Sequence, residues 1–321
     1  MVQDTACVVR PLNPDNESEI QHLIALFSRT SGSGGTRSRA LRSAQYWRNA
    51  TIRKFAALIA IAQGKIVAHC GFGCDKHSPT LGVLSHPAFD PDATELLPEI
   101  ASQFDAVIEA QAARKGLSAL ISYRCSLDAS IADKLLDELS VVTVAELSDE
   151  TLGVSVGAKA FGRSGGRALH NVPASLRSRA AALYRAMGET VLNGAQSEDS
   201  VSKPYPADAR AVEALRLPRS GWALLFVAPS LALSTTATLR MPEALERALL
   251  RWPHSAVCVD MADPRCAPMV ALLQANGFSY SGILPALRGR ESIVFTRGEH
   301  ASNVPLGSEL AISRRGSLLA S

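Results

Sequence analysis

Aromatic side chains are scarce in this chain, 5% of 321 residues, and the cysteines are few and scattered. Cys7, Cys70, Cys74, Cys125, Cys258 and Cys266 include no CxxC pair, and no His/Cys partners stand at zinc-site spacing, so neither a disulfide framework nor a metal centre is expected. Cys70 and Cys74, flanking Gly71-Phe72-Gly73, read as small core hydrophobes. Charge of one sign is also lacking. A net charge of +3, with arginines not interleaved by aromatics, gives no reason to expect a nucleic-acid or anionic-membrane partner. No apolar run reaches the roughly 20 residues that cross a bilayer. The opening MVQDTACVVRPLNPD has no basic segment followed by an apolar one, and a cytoplasmic protein with reduced thiols is the reading that follows.

What is present is a hydrophobic fraction of 47% and enough length for about two domains. Residues 5–10 read as a short strand, followed by a turn at Asn13-Pro14-Asp15-Asn16 with ready N-cap side chains. Glu19 to Phe27 then repeats Ile20, Leu23, Ile24 and Phe27 at helical spacing. The Gly/Ser-rich segment 31–36 is either a connector or a phosphate or substrate loop. Arg39 to Arg48 reads as a second short helix ending in Tyr46 and Trp47, which either lid a pocket or cover a core edge. From Phe55 the order is strand, turn at Gln63-Gly64, strand, a third strand ending at His86-Pro87, a helix through Ala113 with Gly116 beyond it, a strand Ala119 to Tyr123, and a helix Ser130 to Ser140.

That order, with Gly64, the His86-Pro87-Ala88-Phe89 element and the helix closing at Arg114-Lys115-Gly116-Leu117, resembles the GNAT N-acyltransferase superfamily. The resemblance implies an α/β fold with a mixed sheet, and an acetyl-CoA or other acyl thioester as co-substrate. In that family the third strand ends in a Gly-rich turn whose N–H groups, opening a helix, hold the CoA pyrophosphate. Here the segment is Asp90-Pro91-Asp92-Ala93-Thr94-Glu95, with three acids and no glycine. Acids suit a helix N-terminus but repel a diphosphate. Leu139-Ser140-Val141 align with the family's terminal Leu-Gly-Phe. The tyrosine that often protonates the departing thiolate is then replaced by Leu136, which cannot donate a proton.

Leu152 to Phe161 is strand-like, and Arg167 to Met187 reads as a strand ending at Pro173 and a helix carrying Tyr184, similar to the region after the core in large two-part GNAT proteins. Asn193 to Asp208 is polar, with Gly, Ser and two prolines. Beyond it Gly221 to Val227 is a strand, and Met241 to Trp252 a helix with Leu245, Leu249 and Leu250 inward. Ala256 to Asp260 is a strand, Asp263-Pro264 opens a helix ending at Asn276-Gly277-Phe278, and residues 281–285 and 293–295 close a hairpin. The pyrophosphate turn is absent again, and Leu273 stands at the tyrosine position. The chain is therefore expected to hold two tandem GNAT-like domains packed as a pseudo-dimer. Their bounds are 1–190, a linker 191–208, 209–299, and a tail 300–321.

An N-acyltransferase needs a channel for the pantetheine arm, donors for the thioester oxygen and a base for the amine. The candidate catalytic residues are His86, Tyr123 and Glu99. His69, His77 and Arg124 are further polar groups near the same cleft. The pantetheine arm would follow Leu84, Ser85, Pro87 and Ala88, with Thr94 at the turn. The expected activity is acyl transfer from acyl-CoA, or from a carrier-protein thioester, to the amine of a small molecule in the biosynthesis of a specialised metabolite. The partners would be that amine and an acyl carrier protein. Two alternatives stay open: a non-catalytic GNAT-like scaffold, and other thioester chemistry on the same fold. A polar cleft between residues 83–87 and 119–123 favours catalysis, and one filled by Leu96, Leu97 and Phe104 favours the scaffold.

Overall fold

The computed structural model describes residues 7–30, 40–49, 55–75, 78–125, 131–148, 153–162, 167–192, 211–217, 220–228, 240–285, 287 and 290–297. The Gly/Ser segment 31–36, His77, residues 193–208 of the expected linker and the tail 300–321 lie outside the described residues. The chain divides into two compact units, Met1–Val141 and Val142–Ser321.

In the first unit the order is β1 (Val8–Pro11), α1 (Glu17–Thr30), α2 (Ala44–Arg48), β2 (Phe55–Ala62), β3 (Lys65–Cys74), β4 (Leu81–Phe89), a 3₁₀ turn (Pro91–Leu96), α3 (Leu97–Lys115), β5 (Ala119–Cys125) and α4 (Ile131–Glu138). The strands run β1-β2-β3-β4-β5 across the sheet, antiparallel except for the parallel pair β4 and β5. Gln63 and Gly64, both at positive φ, make the two-residue reversal that matches the twist of the β2–β3 hairpin. α1 starts as a capping box: Asn16 Oδ1 accepts from the Glu19 N–H at 3.3 Å, and Glu19 accepts from the Asn16 side chain at 2.8 Å.

α1 and α2 cover one face of this sheet, with Ile20, Leu23, Leu26, Phe27 and Trp47 packed on Ala57, Ile59 and Ala88. Trp47 is fully buried, so it belongs to the core and is not a lid. α3 buries Ile100, Phe104 and Ile108, and its Lys115 lies over Phe72, a residue on the side of β3 opposite to His69. α3 closes through Gly116 at φ +62, where the Leu117 N–H donates to the Ala112 carbonyl. α4 closes the same way on a non-glycine residue: Ser140 sits at φ +57, with Val141 N–H donating to Leu136 O.

The second unit runs β6 (Val142–Ser148), β7 (Gly153–Ala160), β8 (Arg167–Ala168), α5 (Ala174–Ala186), β9 (Val191–Leu192), β10 (Val212–Arg216), β11 (Ala223–Val227), α6 (Glu243–Arg251), β12 (Ser255–Asp260), α7 (Cys266–Ala275), β13 (Phe278–Leu284) and β14 (Ser292–Arg297). Its sheet order is β7-β6-β13-β14-β12-β11-β10, with β11 and β12 parallel and the other neighbours antiparallel. The sequence of strand, helix, parallel strand, helix and hairpin thus occurs twice along the chain, as β4 to β7 and as β11 to β14.

Several details depart from the sequence reading. β6 and β10 are strands that their composition did not announce, and residues 169–173 turn where a longer strand was expected. β6, within the second unit, is bonded to β13 through Gly282↔Ala145. Leu250 is 85% exposed, since only the Leu245 side of the short helix α6 meets the sheet. Cys74 ends β3 exposed, while Cys70 is buried as expected. Among the described residues no helix is long and apolar enough to cross a membrane, and no group of three His, Cys, Asp or Glu gathers as a metal site.

Candidate functional site

The parallel pairing of β4 and β5 stops early. It runs Leu81↔Ala119, Gly82↔Leu120, Val83↔Ile121 and Leu84↔Ser122, after which β4 continues on β3 as far as Phe89 and β5 runs on to Cys125 without pairing to β4. Strands that part at their carboxyl ends leave a crevice with unpaired main-chain groups on both sides, the usual ligand position in α/β sheets.

The parting coincides with a bulge. Along β3 and β4 the register runs His69↔Ala88 and then Gly71↔Ser85, so His86 and Pro87 together oppose Cys70. His86 takes φ +51, a left-handed conformation that strains a non-glycine residue by about 1–3 kcal/mol. Pro87, which has no N–H, is tolerated at such a bulge. His69 supports it from β3: its Nδ1–H donates to the His86 carbonyl at 2.8 Å. The His69 ring is enclosed edge-on by Phe27 at 5.2 Å and Trp47 at 5.0 Å. The His86 ring meets Tyr46 at 6.2 Å.

Burial lowers the His69 imidazole to about 4. The unfolded chain takes up this proton near pH 6.5 while the folded chain resists it to about 4. Stability from this group is therefore intact above pH 6.5 and falls as the pH drops through that window, by up to about 3 kcal/mol. Urea titrations between pH 7 and pH 4.5 should show that slope, and His69→Asn should flatten it. An unchanged slope in the variant would assign the acid sensitivity elsewhere.

The structure gathers Leu84, Ser85, His86, Pro87 and Tyr123 at the parting. Leu84 is the last residue of β4 paired with β5, and Tyr123 follows its partner Ser122. The hydroxyls of Ser85 and Ser122 are buried, and neither has a hydrogen-bond partner among the described residues. Ala88 turns its side chain into the α1 core. Arg124 points to the other face, held by Asp133 at 3.5 Å and Asp137 at 3.6 Å on α4. Glu99 is not brought to the parting. It sits in the first turn of α3 beside Gln103, whose amide bonds Val9 N of β1 and the preceding Cys7 O at the far edge of the sheet.

Thr94 is also placed otherwise than as a ligand donor, since its hydroxyl donates to Pro91 O at 2.7 Å within the 3₁₀ turn. That turn is closed by Asp90, whose Oδ1 accepts the Asp92 N–H at 3.2 Å and whose Oδ2 pairs with Arg29 at 2.6 Å. A side-chain carboxylate already fills the anion position, and Pro91 and Pro98 withhold two further N–H groups. A diphosphate does not fit here. The sequence reading saw the acids but missed Arg29, for which no motif gave a signal.

The second parallel pair parts in the same way, after Phe226↔Cys258. A small open hollow of about 10 Å³ follows, lined by Val227, Ala228, Val259, Asp260, Asp263, Arg265, Cys266 and Met269. Its acids are satisfied: Asp260 binds Arg290 at 2.7 Å and the Ala262 N–H at 2.9 Å, and Asp263 pairs with Arg265. Burial, then the two carboxylates, push the Cys266 thiol up to about 12, so it is no nucleophile.

No family model matches the chain, and no curated protein matches it. Among solved structures it is similar to the PaiA N-acetyltransferase of Thermoplasma acidophilum in complex with coenzyme A, at 14% identity over 49% of this chain and 99% of that one, with a TM-score of 0.39. It is also similar to the aminoglycoside 6'-N-acetyltransferase of Enterococcus faecium, at 13% identity over 48% and 96%, TM-score 0.37. A third is the ribosomal-protein-S5-alanine acetyltransferase of Vibrio fischeri, at 12% identity over 48% and 92%, TM-score 0.37.

Proposed function

We propose that the first parting is the active site of an N-acyltransferase of GNAT type, and that its acyl donor is a phosphopantetheine thioester on a carrier protein. The observation that carries this reading is the coincidence, at one point of the sheet, of the end of β4–β5 pairing, the His86 bulge and a Ser85 hydroxyl with no partner among the described residues. An extended arm with amide groups lies along the free edge from Leu84 to Ala88, and Ser85 meets one of its polar groups. The lone pair of the neutral amine bonds to the thioester carbon, and His86 takes the proton that the nitrogen sheds as this bond forms. The C–S bond then breaks and the sulfur leaves as thiolate, which takes its proton from solvent in place of the acid that Leu136 cannot supply. The Asp90–Arg29 closure argues for a donor without a nucleotide diphosphate.

The repeated order of β4 to β7 and β11 to β14 supports two tandem GNAT-like halves, and the pseudo-dimer is part of this proposal. The acceptor is the amine of a small molecule. Leu136 and Leu273, fully buried at both tyrosine positions, favour the second reading, a non-catalytic scaffold.

Thermal unfolding of the pure protein separates these readings. Phosphopantetheine at ~100 times its dissociation constant should stabilise by roughly 2.7 kcal/mol, and CoA by no more. Tighter binding of CoA would overturn the carrier-bound donor, and no stabilisation by either would leave the scaffold.

A further inference from the structure

His69 is fully buried in the middle of β3, where an aliphatic residue would pack without a polar atom to satisfy. Its Nε2 has no hydrogen-bond partner among the described residues, and its Nδ1–H is directed at one acceptor, the His86 carbonyl at 2.8 Å. With its ring lowered to about 4 by burial, it neither gives nor takes a proton near neutrality. What the ring supplies is a fixed donor, and the rings of Phe27 and Trp47 hold it in place.

The acceptor belongs to the one residue of β4 at positive φ. A carbonyl pinned on its outer side fixes the peptide plane between His86 and Pro87. That plane sets where the bulge points, and with it the His86 ring beside Tyr46. We propose, resting on the acyltransferase reading, that His69 is a positioning residue that latches the β4 bulge, holding the His86 imidazole and the main chain at the parting toward the thioester. It touches neither substrate; it acts through His86.

Two side chains distinguish a latch from a filler. Asparagine can place an N–H near the Nδ1 position of the ring, whereas glutamine places it near Nε2 and leucine offers none. In His69→Leu and His69→Gln the His86 ¹³Cα and ¹³Cβ shifts should move from left-handed to extended values. In His69→Asn they should stay. The wild-type imidazole should show the Nδ1–H tautomer by ¹⁵N shifts. With a carrier-bound acetyl thioester and a small amine, turnover should fall at least about tenfold in His69→Gln with KM within about twofold, and His69→Asn should recover it to within about threefold.

An Nε2–H tautomer, or His86 shifts that are the same in wild type and His69→Gln, would overturn the latch. So would a His69→Asn variant that behaves as His69→Gln. Absence of turnover in the wild type with an intact latch by NMR would overturn the acyltransferase reading alone. Should His69→Leu fail to fold, the Asn and Gln pair still decides.

Discussion

Replacing Gly282 by alanine should remove roughly 3–5 kcal/mol of stability, a large share of the roughly 5–15 kcal/mol margin of an ordinary domain. Gly282 stands at φ +140 in β13, next to a register shift between Tyr280 and Gly282. A Cβ there would lie 2.0 Å from the Val144 carbonyl oxygen and 2.5 Å from Ala145 Cα, both main-chain atoms that cannot swing aside. This is also the pair, Gly282↔Ala145, through which β6 joins β13. Relief would require breaking that join or rebuilding the bulge. Gly64 is the control, for its φ is +75 but its Cβ would meet nothing within 4 Å. Gly64→Ala should cost only about 1–2 kcal/mol, the conformational term alone. Urea denaturation of both variants makes the comparison, and equal losses would mean that β13 yields to the side chain.

The second large effect concerns Arg167 of β8. Its guanidinium is buried between two carboxylates, Glu189 at 3.1 Å and Glu291 in a closer pair, and it lies 5.5 Å from the centre of the Tyr184 ring. The Tyr184 hydroxyl donates to the other oxygen of Glu291 at 2.5 Å. Burial, then the charge of Glu291, raise the Tyr184 hydroxyl well above its ordinary range, so it remains a donor. Arg167→Met keeps the volume and removes the only cation of the group among the described residues. Two carboxylates then share a buried space without compensation, a loss of about 3–5 kcal/mol. Adding Glu189→Gln and Glu291→Gln should return most of the loss. A variant that stays as stable as the wild type would show that solvent reaches the group.

The chain turns were legible because they depend on one or two residues. Gly64 and Gly116 announce positive φ, whereas Ser140, the left-handed residue that ends α4, is not a glycine and gave no such signal. The core faces of α1 and α3 followed from apolar spacing. α6 did not follow as well, since nine residues bury little beyond Leu245 and the period alone cannot say which side meets the sheet. β6 escaped notice because VTVAELS owes its state to β7 and β13 on either side.

The candidate site divides in the same way. The strand end at His86-Pro87, the missing pyrophosphate glycines and the loss of a tyrosine at Leu136 were properties of consecutive residues. Glu99 was grouped with the site because it follows closely in sequence, yet α3 turns it toward β1. Arg29 and Asp90 are 61 residues apart, and Arg167 and Glu291 are 124 apart. Nothing in either neighbourhood marks its partner.

By itself the sequence determined the order of strands and helices, the places of reversal and the absence of a glycine cradle, since these rest on backbone preference and local periodicity. Only the tertiary structure decided where β4 and β5 part, that the bulge falls on His86, and that His69 reaches its carbonyl. Those are facts of register between strands, and a shift of one residue would turn every one of these side chains to the other face.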